Sequence, residues 1–563
     1  MKNLKSILIY LLVLLGILVV SNIFYTRFDL TEDKRFTLSE NTINLIDNIQ
    51  EDVYVEIYLD GKLPSSFMRL HDRVKELLEQ CTANNKRLHF RFLDPSDIKD
   101  KKKKDEFINR LYSKGIQPTN INRKTSDERI SQQLIFPSML IWNSKKEIPV
   151  NLLKNNPAFS AEVNINNSIE ALEYELANAL NVVSTKERKN IAFLEGHNEL
   201  SKAETADLGG SLADFYNVDI ISTEKLRKNI KKYSALIIAR PRKDFSEKDK
   251  YVIDQFIMNG GSSLWLVDQV SADLDSLRYK SEILAFFKPL NIEDMLFTYG
   301  VRINPNLILD GQCVRVPVNI SLPGQPAKFT PAPWYYSPLV MPNGDNPIGK
   351  NVNPIRLDFA NTIDTLGGNY DIKKEVLLQT SKYTRLVNVP WPVSFNIVEE
   401  KMSPEVFNVS NKIVAVSLHG KFPSLFRHRT LDFNIGMPHR KESVETKMIV
   451  ISDGDIVRNT FSGSGKNMRI VPLGYDRYTK QTYGNKAFLM NAVNYLCDNT
   501  GLMQLRNREF KLRILDKTRL KSDRMFWQYL NIFCPLVLLI LLAYLWYFIR
   551  KKTYQKSNEK TRK

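Results

Sequence analysis

Residues 191–199 read IAFLEGHNE. An unbroken apolar run, Ile191–Leu194, gives way at Glu195-Gly196 to a charged turn. A strand with one wet face alternates apolar and polar residues, so a continuous run reads as a strand buried on both faces. Six more runs of this kind follow: VDIIS (218–222), ALIIARP (235–241), SLWLVD (263–268), EVLLQTS (375–381), KIVAVSLHG (412–420) and MIVISDGD (448–455). Helical stretches separate several of them. One begins at Ser246 as its cap, places Val252, Ile253, Phe256 and Ile257 on one face, and stops at Gly260-Gly261. Buried strands alternating with helices predict an α/β domain over residues 190–505, built on a doubly wound, mostly parallel sheet.

In such a sheet, ligands bind beyond the carboxyl ends of the strands. The residues just past the runs are His197 and Glu199, Arg240, Asp268, and Asp453 and Asp455 with Asn459. They are predicted to converge on one edge as a ligand- or partner-binding cluster. His197 and Glu199 have the chemistry of an acid/base pair. The competing reading is that these side chains cap helices and satisfy loop backbone. No Ser, Cys or Thr sits at a strand-to-helix elbow, and neither GxSxG nor GxGxxG is present, which favours the second reading and no catalytic residue. The segment 317–354 breaks the rhythm with nine of the chain's 25 prolines and the run Pro333-Trp334-Tyr335-Tyr336. It is predicted to be a long loop, with Trp334, Tyr335 and Tyr336 as partner contacts; the competing reading is a loop packed across the sheet edge.

Upstream, residues 27–160 read as a small α/β module. Thr37 and Glu40 have capping-box spacing before a helix. VYVEIYL (53–59) and LHFRFLDP (88–95) are strands separated by a helix with Phe67, Leu70, Val74, Leu77, Leu78 and Cys81 inward. A hairpin around IFPSMLIWN closes the module near Leu153. The order is thioredoxin-like, without the CxxC of redox chemistry. Residues 161–189 read as a connecting helix, and KDKKKK (99–104) as a solvated loop.

Both ends of the chain are apolar. Ile7–Tyr25 and Met525–Ile549 contain no charge, and each is long enough to cross a hydrocarbon core of roughly 30 Å. Residues 1–26 are predicted to be an uncleaved transmembrane anchor, 506–524 a basic juxtamembrane segment suited to anionic membrane lipid, 525–549 a second transmembrane helix, and 550–563 a basic tail. The tail and Lys2 and Lys5 place both termini in the cytoplasm by the positive-inside rule, and the bulk of the chain outside it. The net charge is +18, of which about +10 remains once the start and the tail are set aside. No basic face with interleaved aromatics suggests nucleic acid. Four scattered cysteines and six scattered histidines give no metal spacing.

SGSGKN (462–467) resembles a phosphate-binding loop, but that loop needs a glycine where Thr460 stands and a hydroxyl where Asn467 stands. It reads as a solvated turn, and no other Gly-Lys pair repairs the pattern. No nucleotide or other cofactor is predicted.

In order along the chain stand an anchor, RFDLTEDKRFTLSENT, a βα module with FLDP, a strand running into GHNE, ISDGDIVRN, GNKAFLMNAVNYLCDNTGL, a basic stretch and a last span. This sequence of features resembles the gliding-motility-associated members of the ABC-transporter auxiliary protein family of Bacteroidetes. Family members typically end the strand in GHGE; here Asn198 replaces the glycine. The resemblance implies a non-catalytic inner-membrane subunit with a large periplasmic domain. It implies as partners a permease and a separate cytoplasmic ATPase, with a link to motility or secretion machinery. Two alternatives remain open: an envelope enzyme acting on glycan or peptide at the strand edge, and a purely structural scaffold. The large domain is similar in outline to Rossmann and class I amidotransferase-like domains, but no cysteine lies between Cys81 and Cys313 to serve as nucleophile.

Overall fold

The computed structural model describes residues 37–508, except 117, 125–129, 155, 157–158, 186, 320, 322–324, 368–370, 431–435 and 464–467. It also describes 522–560, Gly16 and Thr31. The apolar segment Ile7–Tyr25, apart from Gly16, and most of the basic segment 506–524 therefore lie outside the described residues.

The first module opens with helix α1 (Glu40–Asp47). Its cap is Ser39, whose hydroxyl accepts from the Thr42 N–H at 3.2 Å, two residues later than the capping box expected at Thr37. Strand β1 (Val53–Ile57), helix α2 (Ser65–Asn84), strand β2 (Leu88–Phe92) and helix α3 (Lys101–Ser113) follow. The KDKKKK run thus opens a helix. Asp100 caps it and offsets the lysines crowded at its positive end. A hairpin unforeseen in the sequence pairs β3 (Thr119–Lys124) with β4 (Ile130–Ile135). β5 (Ser138–Trp142) and β6 (Glu147–Asn151) complete a sheet of order β2-β1-β5-β6, parallel only between β1 and β2. Helix α4 (Ala161–Ser184) packs Leu172, Leu176 and Leu180 onto this module's core, while Tyr174 and Ala177 meet Leu502, Met503 and Leu505.

Among the described residues the large sheet has ten strands. β7 (Asn190–Glu195), β8 (Asn217–Ser222), β9 (Tyr233–Ala239), β10 (Ser262–Leu266) and β15 (Thr446–Ile451) form its parallel half, with β7 between β8 and β9. Alternate residues serve opposite faces, as a strand's period of two requires. Ile191, Phe193, Ile237 and Leu264 meet Leu208 of helix α5 (Ala206–Ala213) and Phe488 and Val493 of helix α7 (Asn485–Cys497). Ala192, Leu194, Ile238 and Trp265 meet Ile253 and Phe256 of helix α6 (Glu247–Met258). The domain is mixed α/β with helices on both faces.

The expectation of a mostly parallel sheet needs correction. β11 (Cys313–Asn319), β12 (Phe329–Pro342), β13 (Ile372–Gln379) and β14 (Ile413–Gly420) continue the sheet beyond β15 with every pairing antiparallel, as is that of the short strand Ile355–Arg356. Apolar runs give burial, not direction. A parallel neighbour needs a crossover, usually a helix, and among the described residues none lies between Gly420 and Thr446.

The proline-rich segment is likewise not one long loop, because Phe329–Pro342 within it form β12. Pro331, Pro333 and Pro338 lie in β12, paired with the edge strand β11, where a missing ladder donor costs least. Trp334, Tyr335 and Tyr336 are buried in a core with Leu307, Phe359 and Phe407. The Tyr335 hydroxyl donates to the Glu400 carbonyl at 2.9 Å, and the Trp391 indole donates to the Tyr336 hydroxyl at 2.8 Å. These three residues hold the domain together rather than presenting a contact surface.

Residues 510–563 form a separate unit. Its helix α8 (Arg524–Lys560) contains a 28-residue stretch, Arg524–Lys551, which among the described residues is the one helix long and apolar enough to cross a membrane.

Candidate functional site at the strand ends

The chain runs from β7 outward to β8 and then returns to β9 on the other side of β7, so the topological switch point falls between β7 and β9. A ligand crevice is expected there. Here the protein's own backbone stitches it shut. The His197 carbonyl accepts from the N–H groups of Arg242 and Lys243 at 2.8 and 2.9 Å, and the Leu200 N–H donates to the Ala239 carbonyl at 3.0 Å.

His197 sits behind this seam, nearly fully buried. Its ring stacks on Phe245, with centroids 3.7 Å and planes 11° apart. Nδ1 lies 3.1 Å from Glu199 Oε1 and Nε2 lies 3.4 Å from Asp249 Oδ2. Asp249 is in the first turn of α6, whose cap Ser246 it also engages, and Thr223 bonds its other oxygen. Burial alone would lower the imidazole pKa. The hydrogen bonds to Asp249 and Glu199, with their charges, outweigh it and raise the value to about 9. The Asp249 carboxyl is correspondingly depressed, first by the hydrogen bond from His197. A charged imidazolium held by two carboxylates is a clamp between the β7 loop and α6, and a poor general base near neutrality.

One strand over, Arg240 adopts a left-handed backbone (φ 54°), as do Asn198 (57°) and Phe359 (55°) nearby. Such conformations cost free energy and concentrate at functional and switch sites. The guanidinium of Arg240 reaches three carboxylates: Nε donates to Asp268 Oδ2 at 2.7 Å, Nη1 lies 2.8 Å from Asp455 Oδ1, and Nη1 is 3.7 Å from Asp273 Oδ2. The Nη1–Asp455 contact is close enough for an ion pair but misaligned for a hydrogen bond, so both atoms lack hydrogen-bond partners despite burial. Asp268 also accepts from the Gly454 N–H at 2.6 Å. Gly454 leaves room for this: a Cβ there would stand 2.6 Å from Arg240 Cβ and 3.0 Å from its Cα.

Asp453 accepts the N–H groups of Asp358 (2.8 Å) and Asp455 (2.7 Å). Burial, then the charges of Asp268, Asp455 and Asp358, hold its carboxyl well above the usual range. For Asp455, burial pushes the same way against Arg240 and Arg458. Arg458 was missed in the sequence. It spans Glu204 (3.3 Å), Asp275 (3.0 Å) and Asp455 (3.6 Å). Lys288, also missed, lies beside the network; burial lowers its pKa to about 8. Asn459 accepts from the Asp207 N–H at 3.0 Å and donates to the Val471 carbonyl at 3.1 Å, so it ties α5 to a surface hairpin. That hairpin pairs Phe461–Ser462 with Arg469–Ile470, so part of SGSGKN lies in a strand and most of the rest outside the described residues.

The seven polar residues singled out from the sequence thus fall at the strand ends in two networks and one tie. Asp249, Phe245, Arg458 and Lys288 complete them. Only Asp249 had a local signal, three residues beyond the cap Ser246. Among the described residues no group of His, Cys, Asp and Glu has the geometry to hold a metal ion.

A family model described as "ABC-type uncharacterized transport system" matches residues 188–492, more than half of the chain. The chain belongs to this family. The match spans the large domain and both strand-end networks, and attaches the protein to an ABC-type transport system in an auxiliary capacity. The first module matches a second model, a domain of unknown function (DUF7088), over residues 32–142. No curated protein matches the chain. A solved structure described as "mmIFT52 N-terminal domain" aligns at 14% identity with a TM-score of 0.30, covering 55% of this chain and 97% of that one.

Proposed function

We propose that the protein is a non-catalytic, membrane-anchored subunit of an ABC transporter-type complex, of the GldG kind associated with gliding motility in Bacteroidetes. In this reading it is a two-pass protein of the inner membrane with both termini in the cytoplasm and residues 26–524 in the periplasm. A separate permease and a separate cytoplasmic ATPase are its partners, with motility or secretion machinery further out.

The observation that carries the mechanism is that the strand-end crevice is filled by the protein's own charges. An enzyme keeps room for a substrate between its acid and base. Here Arg240 and Arg458 instead tie the loops that follow β9, β10 and β15 to one another and to Glu204. A partner that displaces one ion pair moves several loops together, which suits a relay of conformational change driven by ATP hydrolysis elsewhere. The strained backbone at Arg240 gives such a network a second state within reach.

Affinity purification of the full chain in mild detergent tests this. Recovery of a multispan permease and an ATPase is expected. Arg458→Ala, at a partly exposed position, is expected to reduce that recovery while leaving the melting temperature within a few degrees. Repeated isolation of a lone monomer overturns the reading.

A further inference from the structure

The first module leaves part of one sheet face uncovered. α2 and α4 pack against one side. On the other, α3 covers only one end, through Leu111 and Phe107 against Tyr58 and Leu140. On the open part, His89, Tyr54 and Trp142 come from three adjacent strands as direct cross-strand partners. They stack in a row, with centroids 5.2 and 5.8 Å apart and planes inclined by 27° and 22°. Tyr54 is 43% exposed.

Two depressions meet at Trp142. One, of about 720 Å³, runs over Tyr54 between Arg87 and Asn143. The other, of about 270 Å³, lies between the sheet and α3. Four acidic and four basic side chains line the pair, so the groove is neutral overall. Several of these charges are already matched: Arg91 with Glu56 at 2.6 Å, Glu51 with Lys145 at 2.7 Å, and Lys114 with Glu147. A neutral rim gives no steering to a phosphate, a nucleic acid or a polycation. The groove also runs over a sheet face, whereas the free strand edges belong to β2 and β6. An extended peptide that adds a strand would bind at an edge, not here.

What the groove offers is ring surface beside planar carboxylate, guanidinium and amide groups. A sugar ring matches that set. Its C–H face is apolar, and its hydroxyls donate and accept at once, so one hydroxyl pair can bridge both members of an ion pair. We propose that this groove is a binding site for a neutral oligosaccharide, with Trp142 at its centre. The inference is independent of the strand-end relay.

The test uses the full chain in an amine-oxide detergent, whose headgroup carries no sugar. An array of neutral and acidic glycans identifies a ligand, and calorimetry with cellotetraose, mannotetraose, chitotetraose and the array hits measures affinity. Saturable binding of a neutral glycan is expected, weakened at least tenfold by Trp142→Ala and by Tyr54→Ala. Tyr54→Ala removes a half-exposed ring, so its unchanged melting curve separates lost binding from lost folding. Absence of any neutral-glycan binding, preference for sulfated or acidic glycans, or wild-type affinity in both variants overturns the proposal. So does displacement of the glycan by an apolar tetrapeptide at lower concentration.

Discussion

His197 and Arg240 stand at the ends of adjacent strands, and each is a buried cation among carboxylates, yet they solve the problem differently. His197 is complete: two carboxylates, one ring beneath it, and both nitrogens within reach of an acceptor. Arg240 is incomplete. It faces Asp268, Asp273 and Asp455, sits on a left-handed backbone, and leaves Nη1 without an aligned acceptor. A buried ion pair offsets its desolvation only when its geometry and remaining hydrogen bonds are good. The first arrangement is a fixed clamp. The second retains unmet hydrogen-bonding capacity and backbone strain, the ingredients of a site that can rearrange.

The largest effect is expected at Arg240. Arg240→Met leaves Asp268 buried without its cation and Asp455 with only the more distant Arg458, and stability should fall by about 3–5 kcal/mol in urea titrations of the detergent-solubilised chain. Adding Asp455→Asn should recover part of that loss, because it removes a carboxyl whose ionisation burial opposes and Arg240 supported. A double variant as unstable as the sum of the two single ones would mean that Arg240 and Asp455 are not energetically coupled, and the contrast with the His197 clamp would not hold.

Gly454→Ala comes next. The added methyl meets the Arg240 side chain, which cannot retreat without giving up Asp268 or Asp455. A loss of about 2 kcal/mol is expected. In the Arg240→Met background the Cγ, which the new methyl would meet at 2.4 Å, is free to turn away although Cβ is not, so the same change should cost less. An unchanged cost would place the clash on the backbone alone.

The sequence carried the strands and the strand-end residues but not their partners. IAFLEG, ALIIARP, SLWLVD and MIVISDGD are central strands because four or more apolar residues without alternation have nowhere to go but between two layers. KIVAVSLHG is a strand for the same reason, EVLLQTS has a shorter run of three, and the antiparallel direction of both is invisible in composition. Trp334–Tyr336 misled because prolines every few residues read as a loop; next to the sheet edge they are tolerated within β12. Tyr54, His89 and Trp142 were invisible in the opposite sense, each an ordinary strand residue until register stacked them. Asp249 lies far along the chain from His197, and Arg458 farther still from Arg240, so no local pattern links either pair. His197 meets Asp249, and Arg240 shares Asp455 with Arg458, only because the parallel half of the sheet brings separate strand ends together.

The smallest effect is expected at His197, and it is read from pH rather than from a single stability value. The folded-state pKa is raised to about 9 from an ordinary value near 6.5, so the folded chain holds a proton that the unfolded chain releases. The clamp's contribution is therefore complete below about pH 6.5 and is lost as the pH climbs through about 9. Asp249 works in the other direction: its carboxyl is depressed, so its contribution is present above the usual aspartate range of about 4 and is lost as the pH falls below it. Urea midpoints of the full chain should thus decline between about pH 6.5 and 9. His197→Gln should flatten that decline while costing about 1 kcal/mol at pH 6. The glutamine keeps the Phe245 surface and can still donate a hydrogen bond to one carboxylate; Glu199 retains the backbone N–H of residue 197 at 2.7 Å and Asp249 retains the Ser246 and Thr223 hydroxyls, which is why the loss stays below that at Arg240. Lys288 pulls against the same decline. Burial lowers its pKa to about 8, so above that pH the unfolded chain holds a proton that the folded chain has released, and stability rises. Lys288→Met should therefore steepen the alkaline decline, whereas His197→Gln flattens it. A decline of unchanged slope in His197→Gln would assign the proton to another group, and the clamp would then be no more charged than the loops around it.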